Sequence, residues 1–382
     1  MPILSAEERV LLFKSPVSDP YAQALLTVIG LPSGVRFKLT TYRSIWVPPE
    51  IFEQCEKLEG KKAILVCVDT VKEPASIKGA YPLRELTIVH SRQLGQQLAL
   101  LVEIGGFVVC PDYAAYLAEL QKSHQLLPPN EHSFIAYDKL RNLTVIPPED
   151  INRSLSAWQN SIKVLVEVQG LQRAGFFHVT GVKREPDEKA VDLCALKKDD
   201  LDAASCTYQL TENSRYRIEL FSMLPRHSER EGLGYLELQV QYPNWAEGQT
   251  SLEISGYAQP YSIKFRTIAV PPGSYPNSVA IKPEDPTFKR APAVELYFNL
   301  MRAPLKVRAR EFIRQRGPRL VLAVLAALAY LYGQLTQSMK AYPTFKTLLT
   351  LSPELAGAFT STVALVVLTY MVSLVMGGTK ES

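Results

Sequence analysis

Two uncharged runs near the C-terminus constrain this chain more than any other stretch. Leu320 to Leu335 reads LVLAVLAALAYLYGQL and Leu355 to Met376 reads LAGAFTSTVALVVLTYMVSLVM, neither with an Asp, Glu, Lys, Arg or His. A helix needs about 20 predominantly apolar residues to cross a bilayer. The second run has that length. The first is nearer the short limit of roughly 17, and Thr336 to Met339 extend it to the interface. The pattern predicts a two-span transmembrane hairpin over residues 320–376, which ties everything before it to a membrane.

Charge orients the hairpin. The stretch Met301 to Arg319 carries Arg302, Lys306, Arg308, Arg310, Arg314, Arg316 and Arg319 against Glu311 alone. The loop between the runs has Lys340, Lys346 and Glu354, and the tail has Lys380 and Glu381. Basic residues close to a span end stay on the cytoplasmic side. Both termini are therefore predicted to be cytoplasmic. Within 305–319, Leu305, Ala309, Phe312 and Ile313 fall at i, i+4, i+7 and i+8, so a helix there has one apolar face. The basic collar has two readings. It sets orientation alone, or it also lies on anionic headgroups, with roughly 1 kcal/mol of attraction per basic residue.

Neither span carries the ionisable group that marks an ion or proton path. The second does carry Gly357, Ser361, Thr369 and Ser373. Small and hydroxyl residues favour close helix contact in lipid. That contact is either with the first span or with further copies of the chain.

The remaining length suits two soluble domains. The net charge is only +4, less than the collar alone contributes, so the rest is near neutral and no nucleic-acid partner is expected. Five cysteines without a CxxC pair are the usage of a reducing compartment. Met1 to Lys14 mixes Glu7, Glu8 and Arg9 with short apolar runs and does not read as a signal peptide.

The expected fold class is multi-domain, α+β and all-β. Residues 1–148 read as a mixed α/β, barrel-like domain, with an open α+β sheet as the alternative. Lys62 to Val68 (KAILVCV) is a buried strand, and Leu98 to Ile104 alternates as a half-buried one. Gly105-Gly106 predicts a turn, and Asp112 caps a helix over 113–126. Pro147-Pro148 marks a boundary. Residues 149–270 read as a connecting helix to Ser161, then about seven strands from Ile162–Val168 to Tyr261–Ile268, which suggests a β-sandwich. Six prolines in Val270 to Pro292 predict either a stiff stalk over 271–304 or a proline-rich edge packed back on the sandwich.

No residue is assigned a catalytic, cofactor-binding or metal role. His90, His124, His132, His178 and His227 lie in no metal spacing, and there is no phosphate loop or nucleophile elbow. Cys110, followed by Pro111-Asp112 at a strand end, is the best-placed thiol. Asp69 and Asp112 follow buried strand runs. The aromatics Trp46, Tyr235, Tyr242, Trp245, Tyr257 and Tyr261 form either a binding face or packing. The leading expectation is a non-enzymatic, membrane-anchored binding, adaptor or sensor protein facing the cytoplasm. Its expected partners are the lipid bilayer and a protein, or further copies of itself. The alternative is a pore-forming or depolarising effector with soluble sensing domains, as in bacterial defence. A membrane-tethered enzyme is the third.

Overall fold

A computed structural model describes residues 9–16, 19–43, 47–71, 76–123, 133–138, 143–169, 175–185, 187–195, 201–224, 235–255, 258–269, 274–284 and 293–302. Both expected spans and the collar beyond Arg302 lie outside these residues, including Gly357, Ser361, Thr369 and Ser373. Among the described residues no helix is long and apolar enough to cross a membrane. Residue contacts divide the chain into Met1–Arg302 and Ala303–Ser382. The first unit holds all the described residues and is mostly β-sheet.

Its N-terminal part holds strands β1 (Arg9–Lys14), β2 (Arg36–Arg43), β3 (Lys62–Val71), β4 (Ser76–Leu94), β5 (Gln97–Val109), β6 (Ser133–Asp138) and β7 (Thr144–Val145). Between them run helices α1 (Asp19–Gly30), α2 (Pro49–Glu53), a 3-10 turn at Cys55–Leu58, and α3 (Tyr113–Ser123). The strands form one sheet in the order β2-β5-β4-β3-β1-β6, with β7 on the far end of β5. Among the described strands of this sheet, only β1 and β3 pair in parallel. Both strands are buried on both faces. Val10, Leu12, Ala63 and Leu65 face the main core, while Leu11, Phe13, Ile64 and Val66 face Tyr116 and Leu120 of α3. Two covered faces explain the unbroken apolar run of β3.

Gly105 and Gly106 form no turn. They lie inside β5, where Arg84 pairs with Phe107 and Leu86 with Ile104, so β5 holds one extra residue in a bulge. A Cβ on Gly106 would stand 2.0 Å from the Ile146 carbonyl oxygen, and one on Gly105 would stand 2.8 Å from that of Glu85. Close backbone approach, rather than reversal of the chain, requires glycine here.

The rest begins with α4 (Ile151–Gln169), followed by β8 (Phe176–Glu185), β9 (Lys189–Ala190), β10 (Leu193–Ala195) and a 3-10 turn at Ala203–Ser205. Then come β11 (Cys206–Thr211), β12 (Arg215–Met223), β13 (Tyr235–Gln241), β14 (Ala246–Gly248), β15 (Ser251–Ser255) and β16 (Gln259–Thr267). The last two are β17 (Ser274–Pro283) and β18 (Val294–Met301). Residues 162–168, expected as a strand, continue α4. Ala157, Trp158, Ser161, Ile162 and Leu165 are buried, which is helical spacing, whereas Val164 and Val166 are only half-buried.

One sheet has the order β10-β11-β18-β17-β13-β15 and the other β14-β16-β12-β8-β9. Their alternating inner residues share one core: Tyr216, Ile218 and Leu220 of β12 with Leu236 and Leu238 of β13 and Leu296 and Phe298 of β18. Phe265 meets Phe298 edge-on, with centroids 5.8 Å apart. Burying such side chains stabilises by about 1.5–3 kcal/mol each. The same core includes Leu25 and Leu26 of α1, so it continues across the Pro147-Pro148 boundary.

Within the range expected as a stalk, 271–304, the described segments Ser274–Pro283 and Val294–Met301 are strands instead. β17 and β18 are interior strands of the larger sheet. The two prolines of β17 fit because of where they fall. Pro276 lies where β17 pairs with β18 alone, since β13 pairs only with Ala280–Pro283, and Pro283 ends the strand.

Candidate functional site

The site is built on the C-terminal end of α1, and that end is held by a buried guanidinium. Arg84 is 1% exposed. It donates to the carbonyls of Val28 (2.9 Å), Leu31 (2.5 Å) and Gly105 (2.9 and 3.2 Å), and to Ser33 Oγ (2.9 Å). No carboxylate is among these partners. The charge is met instead by carbonyl oxygens, two of them at the negative end of α1. The bulge at Gly105 is what turns its carbonyl towards Arg84. Phe107 lies beneath the guanidinium, 4.3 Å from ring centroid to Cζ. Burial lowers the Arg84 pKa to about 9, so the group stays charged at neutral pH.

Beyond Phe107 the cluster is aromatic. His178 meets Phe107 edge-on at 5.4 Å and stacks on Trp158 at 6.0 Å. Burial, and then the charge of Arg84, lower its pKa to about 3, so the imidazole is neutral. This histidine is core packing.

Next to the α1 end a cavity of about 320 Å³ opens towards the outer face of the larger sheet. One wall is Thr27 of α1 and Leu31 just beyond it, with Arg36, Phe37 and Lys38 of β2. The other is Ala280 and Lys282 of β17 with Ala293, Glu295 and Tyr297 at and along β18, and Ala203 closes one end. Thr27 Oγ1 donates across the gap to the Ala293 carbonyl at 3.4 Å. Arg36 is fixed: it donates to Ser205 Oγ at 3.0 Å, and its Nε lies 4.0 Å from Glu103. Glu295 accepts from Ser278 Oγ (2.5 Å) and from the Tyr297 hydroxyl (3.1 Å). Burial and this carboxylate push the Tyr297 phenol up to about 12, so it keeps its proton and donates. Three cations thus line the cavity against one carboxylate, beside alanines that leave its walls open. Ligand sites are commonly clefts of about 300–1,000 Å³ with a few placed polar groups.

The residues singled out by sequence lie elsewhere. Burial, more than any other cause, raises the pKa of Cys110, which disfavours the thiolate needed for attack. Asp112 caps α3, accepting from the Ala115 amide at 3.0 Å. Asp69 pairs with Lys78 at 3.3 Å. His90 Nδ1 lies 2.6 Å from Glu59. Tyr242 packs on Phe265 and Trp245 on Phe298, and the Tyr261 hydroxyl is bonded to both backbone groups of Ser255. These three aromatics hold the two sheets and present no common face. Trp46, Tyr257, His124, His132 and His227 lie outside the described residues. Of the collar only Arg302 is described, 3.9 Å from Glu212.

The cavity residues were missed because four separate segments supply them and none carries a motif. The one local signal is Arg36 and Lys38, two apart on a strand and so on one side of it. The chain matches no protein-family model and no curated protein.

Proposed function

We propose that this chain is a membrane-anchored, non-enzymatic binding or sensor protein that takes a small anionic ligand into the cleft between β2 and the β17–β18 face. The observation that carries this reading is the cleft itself, large enough for a metabolite and lined by Arg36, Lys38 and Lys282. In this reading residues 1–148 are a barrel-like input domain and the two facing sheets are a sandwich. The hairpin of residues 320–376 is the anchor, and the collar lies on the cytoplasmic leaflet. β18 joins these parts, because it carries Glu295 and Tyr297 in the cleft and runs into the collar at Arg302.

The test is native mass spectrometry of the full chain in lipid nanodiscs. The wild type retains a small molecule, and Ala280→Phe, which fills the cleft, releases it. Equal retention by both would place the ligand elsewhere. The hairpin is tested with a voltage-sensitive dye in bacteria. Depolarisation by the native chain, absent when an unrelated hairpin replaces residues 320–376, would favour the effector over the passive anchor.

A further inference from the structure

We infer that the ligand of this cleft is a sugar phosphate, free, within a nucleotide or as a phosphorylated inositol headgroup; the inference rests on the cleft being the binding site. The charges argue for phosphate. A phosphomonoester carries about −1.5 to −2 at neutral pH, and Lys38 and Lys282 outnumber the Glu295 carboxylate in the lining even with the charge of Arg36 shared with Glu103. Arg36, 7% exposed and held between Ser205 and Glu103, adds a fixed positive charge at the wall, while Lys38 and Lys282 stand on opposite walls as point charges on long stems.

The carboxylate argues for a polyol. An inorganic anion gains nothing from Glu295 and is repelled by it. A sugar hydroxyl can donate to it. A carboxylate accepts at about four lone-pair sites, and Ser278 and Tyr297 use two of those on Glu295. Glu295 pairs with Ala280 across the β17–β18 ladder, and Lys282 stands two residues further on the same face. Acceptor and cation are therefore diagonal neighbours on one face, beside Ala280. That spacing suits a ring whose phosphate and hydroxyls diverge.

Calorimetry on the full chain in zwitterionic nanodiscs tests this, with inorganic phosphate, ribose, ribose 5-phosphate, AMP and inositol 1-phosphate as probes. At least one sugar phosphate should bind 10-fold or more tightly than either phosphate or ribose. Lys282→Glu, a surface change, should weaken it at least 10-fold. Glu295→Gln should reduce the preference over inorganic phosphate. Nanodiscs containing phosphorylated phosphatidylinositol separate the sources: a lipid ligand makes inositol 1-phosphate the preferred probe and is displaced by it, whereas a soluble ligand leaves AMP or ribose 5-phosphate preferred. Equal binding of ribose and ribose 5-phosphate, or no effect of Lys282→Glu, would overturn the assignment. A molecule retained by the wild type, released by Ala280→Phe and lacking phosphorus would overturn the ligand class and leave the binding reading standing. No retained molecule and no bound probe would remove both.

Discussion

At the scale of single residues, two of the buried cations behave oppositely. Arg84 satisfies several backbone acceptors at once, so Arg84→Ala strands the carbonyls of Val28 and Leu31, while that of Gly105 keeps the Ser33 hydroxyl as donor. Each unpaired buried group costs about 1–3 kcal/mol. The variant should lose at least about 2 kcal/mol in chemical denaturation, and Arg84→Lys, which keeps charge but not the fork, should fall between it and wild type. Lys14 is a different case. It is fully buried, with its ammonium 4.3 Å from the centroid of the Tyr42 ring, and burial lowers its pKa to about 7. In the unfolded chain a lysine titrates near ~10.4. Between those values the unfolded state binds a proton that the folded state lacks, so stability rises with pH across that window. From pH 7 to 9 the gain should be about 2 kcal/mol, and Lys14→Met should abolish that slope. An unchanged slope in the variant would sink the assignment. Neither cation was legible from the sequence, since nothing in RELT or LLFK marks its basic residue as buried.

At the scale of elements, apolar alternation was readable and its exceptions were not. Strands β12, β13, β15 and β16 follow the pattern of Tyr216, Ile218 and Leu220 or of Leu236, Leu238 and Val240 closely. Residues 162–168 deceived because Ile162, Val164, Val166 and Val168 alternate while the buried set follows helical spacing. The strands β17 and β18 were hidden by proline counting, although SVAIK and VELYFNL alternate in plain view. The glycines of β5 give a sharp test. Gly106→Ala forces a Cβ into a carbonyl oxygen and should cost about 3 kcal/mol or more, near the upper end for single substitutions. Gly181→Ala, with nothing within 4 Å of the added carbon, should stay within about 0.5 kcal/mol. Thermal or urea denaturation of the pair reads the difference, and similar losses in both would count against the bulge. The candidate site belongs to this level of difficulty too. Its walls come from residues 27–38, 203, 280–282 and 293–297, which no spacing connects.

For the whole molecule, the sequence speaks most clearly about the part after Arg302. If the collar binds lipid, a chain ending at Arg319 should associate with phosphatidylserine vesicles and be released at high salt, because such attraction is screened within about 10 Å at 0.1 M. A chain ending at Arg302 should not associate. Equal behaviour of the two by vesicle sedimentation would reduce the collar to an orientation signal. The described body also has a property as a tether. The strand that runs into the collar is β18, flanked by β11 and β17. Its exit is clasped by Glu212, whose amide donates to the Met301 carbonyl at 3.1 Å and whose carboxylate pairs with Arg302. Ladder hydrogen bonds run across the strands. Tension drawn through the backbone at Arg302 along β18 therefore loads both ladders in shear, all their bonds together, instead of peeling them one by one. A body pulled through an interior strand must give up two ladders at once, where an edge strand would give up one.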